Sequence, residues 1–311
     1  MSRSLRHLVI AGLPICLALI GHVSQAPAQE PIPQTPIPVV ATLPFLKEFV
    51  ERVGGTSVAV TSLIKSAGSK YTYTPTPGDI AAVSRARLLV QVGIGLEVWL
   101  APLLNTAQNS RLTIVTTGRG IPLLREQNMG GQDEEVRARV SGDPHIWLDP
   151  ENAKMMIRAI TDALIKTAPA QRAMFLANQA RYLKEIDEAE ATIKRQVVGL
   201  KDRRIVTHPA AWPYFARRFG FQIEGVLMEQ PDGDASAKSL AGLITLIRRK
   251  RIKVIAMEPQ LDAKVAQALA GEPGVTLVTI TPLPGALPGT DTYLNMLSYN
   301  ARQLIEALSR Q

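Results

Sequence analysis

The sequence predicts an α/β protein of two halves, each a mostly parallel sheet with helices, joined by one long backbone helix with a ligand cleft between the halves. Three observations carry this reading. Short apolar runs of strand length alternate with helical periods in both the first and the second part of the chain. A longer periodic segment, from about Ala170 to Lys201, separates the two alternations. The 311 residues, 46% hydrophobic and 20% charged, are enough to build two ordinary cores.

Residues 1–28 read as an export signal. Arg3 and Arg6 precede the apolar run Leu8 to Ile20, and Ala26-Pro27-Ala28 supplies small residues at a cleavage point. The run is shorter than the ~20 residues a bilayer span needs. The residue before Cys16 is Ile15, where lipid attachment takes Gly, Ala or Ser, so a periplasmic protein without a lipid anchor is expected. Cleavage after Ala28 removes Cys16, His7 and His22. His145 and His208 are then the only histidines, and no thiol remains.

An N-terminal α/β domain is expected over 29–168. Its Pro-rich start, 29–38, is an extended lead-in. Val39 to Thr42 follows as a strand, Pro44 to Val53 as a helix stopped by Gly54-Gly55, and Val58 to Ile64 as a strand. Thr76-Pro77-Gly78-Asp79 opens a helix to Ala86, with Thr at the cap, Pro at the first helical position and Asp bonding back. Leu88 to Val92 and Leu112 to Val115 are short buried strands. The glycine-punctuated and acidic stretch 118–142 reads as a mobile surface loop, and Asp149-Pro150 caps a helix with Met156, Ile160, Ala163 and Leu164 on its apolar face.

The linker helix, 169–201, is about 45 Å long at 1.5 Å per residue, with Leu176, Leu183, Ile186, Ile193, Val197 and Leu200 as its stripe. A C-terminal α/β domain over 202–311 repeats the alternation. Its strands are Arg204 to Thr207, Ile223 to Met228, Lys253 to Met257 and Val275 to Ile280. Its helices are Trp212 to Phe219, Ser236 to Arg249, Asp262 to Ala270 and Tyr293 to Leu308. In such sheets ligands collect beyond the carboxyl ends of the strands.

The formal charge of +8 falls by two when Arg3 and Arg6 leave, and the rest is spread along the chain. Arg203-Arg204, Arg217-Arg218 and Arg248 to Arg251 invite a nucleic-acid reading through counterion release. An exported chain meets little nucleic acid, so these are read as solvated helix and strand ends, with no nucleic-acid partner. Met228, Met257 and Met296, with Trp147 and Trp212, are read as packing residues.

His145, in Asp143-Pro144-His145-Ile146-Trp147-Leu148-Asp149-Pro150, lies just before a capped helix. His208, in Val206-Thr207-His208-Pro209, lies immediately after a strand. Both are thus placed on loops facing the expected cleft, one from each half, where an imidazole can ligate a transition metal or act as a base.

Several stretches together resemble the zinc/manganese solute-binding proteins of bacterial ABC transporters over nearly the whole mature chain. They are Val39 to Thr42, Tyr73 to Pro77, Asp143 to Ala153 (DPHIWLDPENA), Tyr214-Phe215-Ala216 with Gly220, Ser236-Ala237-Lys238, Glu258-Pro259-Gln260, Asp291-Thr292-Tyr293 and Tyr299-Asn300. The resemblance implies a non-enzymatic, monomeric receptor that captures Zn, Mn or Fe with one ligand from each of four loops and delivers it to an ABC permease. His145 matches the second ligand. His208 matches the third, with one more residue before Trp212 than the family pattern has. Tyr71 stands where the first, a histidine, is expected, and Thr281 where the fourth, an aspartate before Pro-Leu, is expected.

A His-His-Tyr-Thr set holds zinc or manganese less well than a His-His-His-Asp set, because a threonine hydroxyl is neutral and a phenol with a pKa of about 10 must first lose its proton. Ligation by Tyr71 would favour a hard ion such as Fe(III). Glu258, Glu229 or Asp291 are the candidate auxiliary carboxylates. Three other readings remain open at the level of sequence: a site turned over to a metal complex or small organic solute, an exported hydrolase using His208 or His145 as base, and an exported partner-binding or structural protein that has lost its ligand. No Gly-x-Ser-x-Gly, Gly-x-Gly-x-x-Gly or P-loop pattern is present.

Overall fold

A computed structural model describes residues 35–65, 73–124, 142–208, 211–227, 237–259 and 263–310. The expected export signal, most of the Pro-rich lead-in, Tyr71, most of the 118–142 stretch, Met228 and Glu229 lie outside the described residues. Residues 35–311 form one compact unit. No helix among the described residues is long and apolar enough to cross a membrane.

The first sheet contains β1 (Ile37–Ala41), β2 (Val58–Ser62), β3 (Leu88–Gln91) and β4 (Thr113–Thr116), all parallel in the order β2-β1-β3-β4. Its helices are α1 (Pro44–Gly54), α2 (Pro77–Arg85), α3 (Leu100–Ala107) and α4 (Pro150–Thr167). The second sheet, β5 (Arg204–His208), β6 (Gln222–Val226), β7 (Val254–Met257) and β8 (Thr276–Thr279), is also parallel and repeats the order as β6-β5-β7-β8. Its helices are α6 (Pro213–Phe219), α7 (Ala237–Lys250), α8 (Ala263–Ala270) and α9 (Tyr293–Ser309), and the long helix α5 (Arg172–Val198) precedes it. Both sheets therefore reverse their winding direction between the first and third strands, at β1/β3 and at β5/β7. Those are the crevices where doubly wound sheets hold ligands.

Local chemistry accounts for the helix starts. Thr76 accepts from the Asp79 amide while the Asp79 carboxylate accepts from the Thr76 amide at 2.7 Å, a complete capping box with Pro77 at the first helical position. Asp149 caps α4 by accepting from the Glu151 amide at 2.9 Å, and Pro150 again follows. Gly55 takes φ 55° where α1 ends, as the Gly54-Gly55 stop predicts.

Three expectations are corrected. The segment Leu100–Ala107 is a helix that the reading of the alternation missed, although Leu100, Leu103, Leu104 and Ala107 carry the i, i+3, i+4, i+7 spacing of a helix face. His208 is the last residue of β5 and pairs with Met257, where a position just past the strand was expected. The long helix buries Phe175, Tyr182, Ile186, Glu190, Ile193 and Val197, and Leu176 is exposed. Its true stripe includes a glutamate because Glu190 meets Arg218 of α6 at 3.3 Å, and Arg218 also holds buried Asp149 at 2.6 Å.

One apolar core runs through both halves, taking Phe45, Phe49, Trp147, Tyr182, Trp212, Tyr214, Tyr293 and Met296 into a single cluster. A smaller cluster around Val206, Ile247, Ile255 and Met257 lies within the second half. Met257, Met296, Trp147 and Trp212 are packing residues, as expected.

Candidate metal centre

The carboxyl edge of the second sheet lines up the candidate ligands. His208 ends β5, and its carbonyl accepts from the Glu258 amide at 3.1 Å. The Met257 carbonyl at the end of β7 accepts from the Ile280 amide at 2.8 Å, which places Thr281 next in the row. His208, Glu258 and Thr281 are all buried, and His208 and Glu258 flank the β5/β7 crevice.

His145 enters from the first half on a short 3-10 turn, Ile146–Leu148. Its amide donates to Asp143 Oδ1 at 2.9 Å, and its ring Nδ1 lies 2.7 Å from the same oxygen. A carboxylate oxygen accepts, so Nδ1 carries the proton, and in the neutral ring Nε2 is the nitrogen that can ligate. This is the orienting arrangement that metal-binding histidines use. The turn is held from the second half: the Tyr214 hydroxyl donates to the Asp143 carbonyl at 3.0 Å, and the Trp147 indole donates to the Pro282 carbonyl at 2.7 Å. His145 and Thr281 are thus on loops that touch.

Thr281 itself is turned inward. Its hydroxyl donates to the Leu283 carbonyl at 3.0 Å and accepts from the Leu283 amide at 3.2 Å. Asn300 of α9 clamps its backbone from both sides, accepting from the Thr281 amide and donating to its carbonyl. The hydroxyl serves the turn, which leaves it a poor ligand besides being a neutral one. Asp291, exposed just before the α9 cap Thr292, is not gathered into this row.

The first sheet treats its own crevice differently. Glu97, a residue that the sequence did not single out, reaches into the β1/β3 end and is almost fully buried. Its carboxylate accepts from the Thr42 hydroxyl and the Val92 amide, each at 2.8 Å, and from the Gly93 amide at 2.9 Å. Burial pushes its carboxyl above the ordinary range, and these bonds oppose that rise. Gly93 is needed there: it sits at φ 76°, and a Cβ would lie 2.4 Å from Thr116 Cγ2. Tyr73, two residues after Tyr71, donates its hydroxyl to Asp79 at 2.6 Å and packs edge-on against Trp99. Burial and the adjacent carboxylate raise the Tyr73 phenol well above its usual value, so it stays protonated.

Among the described residues the one group of three acidic or histidine side chains whose ligand atoms all lie within 4.8 Å of one another is Glu151, Asp187 and Glu190; His145, His208 and Glu258 are not drawn that close together. The acidic group is neutralised from within. The Lys154 ammonium bonds Asp187 and lies 2.8 Å from Glu151, and Lys194 lies 2.5 Å from Glu190.

Two parallel α/β halves, a long helix before the second, and ligand-capable side chains at the carboxyl edges define the class of solute-binding receptors. Residues 39–307 match the family model described as zinc-uptake complex component A, periplasmic (ZnuA), and the chain belongs to that family. It is 28% identical over 279 residues to a putative metal-binding protein of Treponema pallidum, covering 88% of each chain. It is 28% identical over 274 residues to the zinc-binding protein AdcA of Streptococcus pyogenes, covering 83% of this chain and spanning about half (52%) of that longer relative. A crystal structure of ZnuA superposes with a TM-score of 0.76 at 26% identity, over 88% of this chain and 100% of that one.

Proposed function

We propose that this chain captures a transition-metal ion with His145, His208 and the Glu258 carboxylate and delivers it to an ABC permease at the membrane, without catalysis. Tyr71 occupies the place of the family's first ligand and completes the set from the first half. The observation that carries the reading is the Asp143–His145 contact at 2.7 Å, which leaves Nε2 of a buried imidazole as the ligand atom. Glu258 supplies the carboxylate that Thr281 lacks, from the neighbouring strand end.

Two neutral imidazoles with one carboxylate suit Zn(II) or Mn(II), and a phenolate from Tyr71 shifts the preference toward Fe(III). The metal is cargo, so the site binds and releases it and performs no bond chemistry. The receptor works as a monomer, exported by residues 1–28.

Calorimetric titration of metal-stripped protein with Zn(II), Mn(II) and Fe(III) tests this. Binding of one ion, weakened by about two orders of magnitude or more in His145→Ala and His208→Ala, is expected. Absence of binding by all three ions at micromolar concentration would rule the reading out. A visible charge-transfer band with Fe(III) that vanishes in Tyr71→Phe would assign the phenolate.

A further inference from the structure

The face opposite the histidine row carries a second charged feature. Because the strands of the second sheet are parallel, their amino ends share one edge, and the helices that return to them end there as well. The cationic stretches at 201–204 and 248–253, distant in sequence, meet at this edge, where the Arg204 guanidinium donates to the Lys250 carbonyl at 3.0 Å. Asp202, Glu224 and Glu272 pair with Arg204, Lys250 and Arg248 respectively. Lys201, Arg203, Arg249 and Arg251 are in excess of those carboxylates, and all except the part-buried Arg203 are exposed.

Two details set this edge apart from ordinary solvated helix ends. Arg251 closes α7 at φ 51°, with its amide bonded to Arg248 and the Ile252 amide bonded to the Ile247 carbonyl. That closure favours glycine, yet this chain has an arginine there. Amid the cations Val198, 72% exposed, ends the long helix, and Arg203 donates to its carbonyl at 3.2 Å. Beside it Leu200, Lys201, Arg203, Gly220 and Gln222 line an open cavity of about 450 Å³ together with Arg204 and the Asp202 carboxylate, which Arg204 pairs. Gly220 leaves room for the guanidinium, since a Cβ there would lie 3.3 Å from Arg203 Nη1.

We propose that this edge binds an anionic phospholipid surface. The cations engage headgroup phosphates, the cavity at Lys201 and Arg203 seats one headgroup, and Val198 enters the interface. The apolar tip favours lipid over nucleic acid, because a bilayer offers an exposed valine somewhere to go and a polyanion in water does not. Cations at helix carboxyl ends also complement the helix dipole, but that does not account for the exposed Val198. His208 and Glu258 lie at the opposite ends of the same strands and stay clear of the lipid.

Co-sedimentation of the exported chain with phosphatidylcholine vesicles, with and without phosphatidylglycerol, at about 0.1 M salt tests the proposal. Binding to the anionic vesicles alone is expected. Each cation lost should weaken it roughly fivefold, so Lys201→Glu with Arg249→Glu should weaken it by more than an order of magnitude. Arg251→Gly separates binding from folding: it relieves the left-handed backbone and keeps the melting temperature at or above the parent's, while vesicle binding falls roughly fivefold. Val198→Ser should weaken binding without changing its salt dependence. Equal binding to neutral vesicles, no binding to either kind, or parent-like binding by the charge-reversed variant would overturn the proposal. So would release by inorganic phosphate at matched ionic strength, which would assign the cavity to the free anion, or preference for a DNA duplex over anionic vesicles.

Discussion

The Trp147 indole N–H donates to the Pro282 carbonyl at 2.7 Å across 135 residues of chain, and this bond joins the His145 turn of the first half to the Thr281 loop of the second. The joint is reinforced on both sides. The Tyr293 hydroxyl donates to the Trp147 carbonyl at 2.6 Å, and the indole stacks on Phe45 with ring centroids 4.7 Å apart. At the proposed site, capture and release of cargo would act on loops that side-chain bonds already tie together. Large closure would have to break buried bonds, which complements the restraint that a continuous helix imposes.

Trp147→Phe keeps an aromatic ring against Phe45 and removes the indole donor, leaving a buried carbonyl at Pro282 without it. Thermal unfolding should show a loss of about 1–3 kcal/mol. Metal affinity should fall as well, because the two loops lose their shared anchor. Unchanged affinity alongside lower stability would show that the joint serves the fold alone.

Asp143→Asn tests the orienting carboxylate. An amide can still meet the His145 backbone, but it no longer holds a proton on Nδ1 by charge. Zn(II) affinity measured by chelator competition should drop about 10–100-fold, with the melting temperature close to the parent's. An affinity within twofold of the parent's would mean that the contact is structural only.

Much of the fold was legible because its signals are local. The Thr76 to Asp79 capping box and the Asp149-Pro150 cap depend on neighbours within a few residues, and both formed as read. Strand order was not legible, since nothing in Val39 to Thr42 says that β1 lies between β2 and β3. The stripe of the long helix was misjudged at Leu176, because the buried face is set by the helices it packs against, chiefly α1 and α4 of the first half and then α9 of the second. His145 and His208 stood out by residue type and by their places beside a predicted helix start and a predicted strand end. Glu97 did not, since a lone glutamate in Gly95-Leu96-Glu97-Val98 looks like any solvated acid until three donors converge on it.

Glu48 of α1 links three helices: one oxygen accepts from the Tyr182 hydroxyl at 2.7 Å and the other from the Tyr293 amide at 2.6 Å, at the start of α9. Burial raises its carboxyl above the ordinary range despite these bonds and nearby Arg52. The folded state then binds the proton more readily than the unfolded chain. The Glu48 contribution is fully present below the unfolded pKa near 4.5 and is lost as pH rises through the higher folded value. Glu48→Gln keeps a donor and an acceptor for the two partners and cannot ionise. In denaturant titrations the parent should lose stability relative to this variant as pH rises above about 4.5, and a constant difference across pH would refute the assignment.

Thr281→Asp asks whether the missing carboxylate is what limits the site. The hydroxyl of Thr281 serves its own turn by accepting from the Leu283 amide, and an aspartate can make the same contact with one oxygen. The second oxygen is then available toward the row formed by His208 and Glu258. An anionic ligand in a buried site gains far more from a divalent ion than a neutral hydroxyl does. Zn(II) affinity should therefore rise by at least about tenfold, a gain of about 1.4 kcal/mol, while the metal-free protein should melt at a lower temperature, because the buried carboxylate has no cation and the donor to the Leu283 carbonyl is lost. The double variant with Glu258→Gln makes the outcome specific. If Glu258 already supplies the carboxylate, the double variant should bind about as tightly as the parent, one acid having replaced the other. If Thr281→Asp leaves affinity unchanged and Glu258→Gln does as well, neither strand end reaches the cargo, and the ligands beyond His145 and His208 must come from the first half.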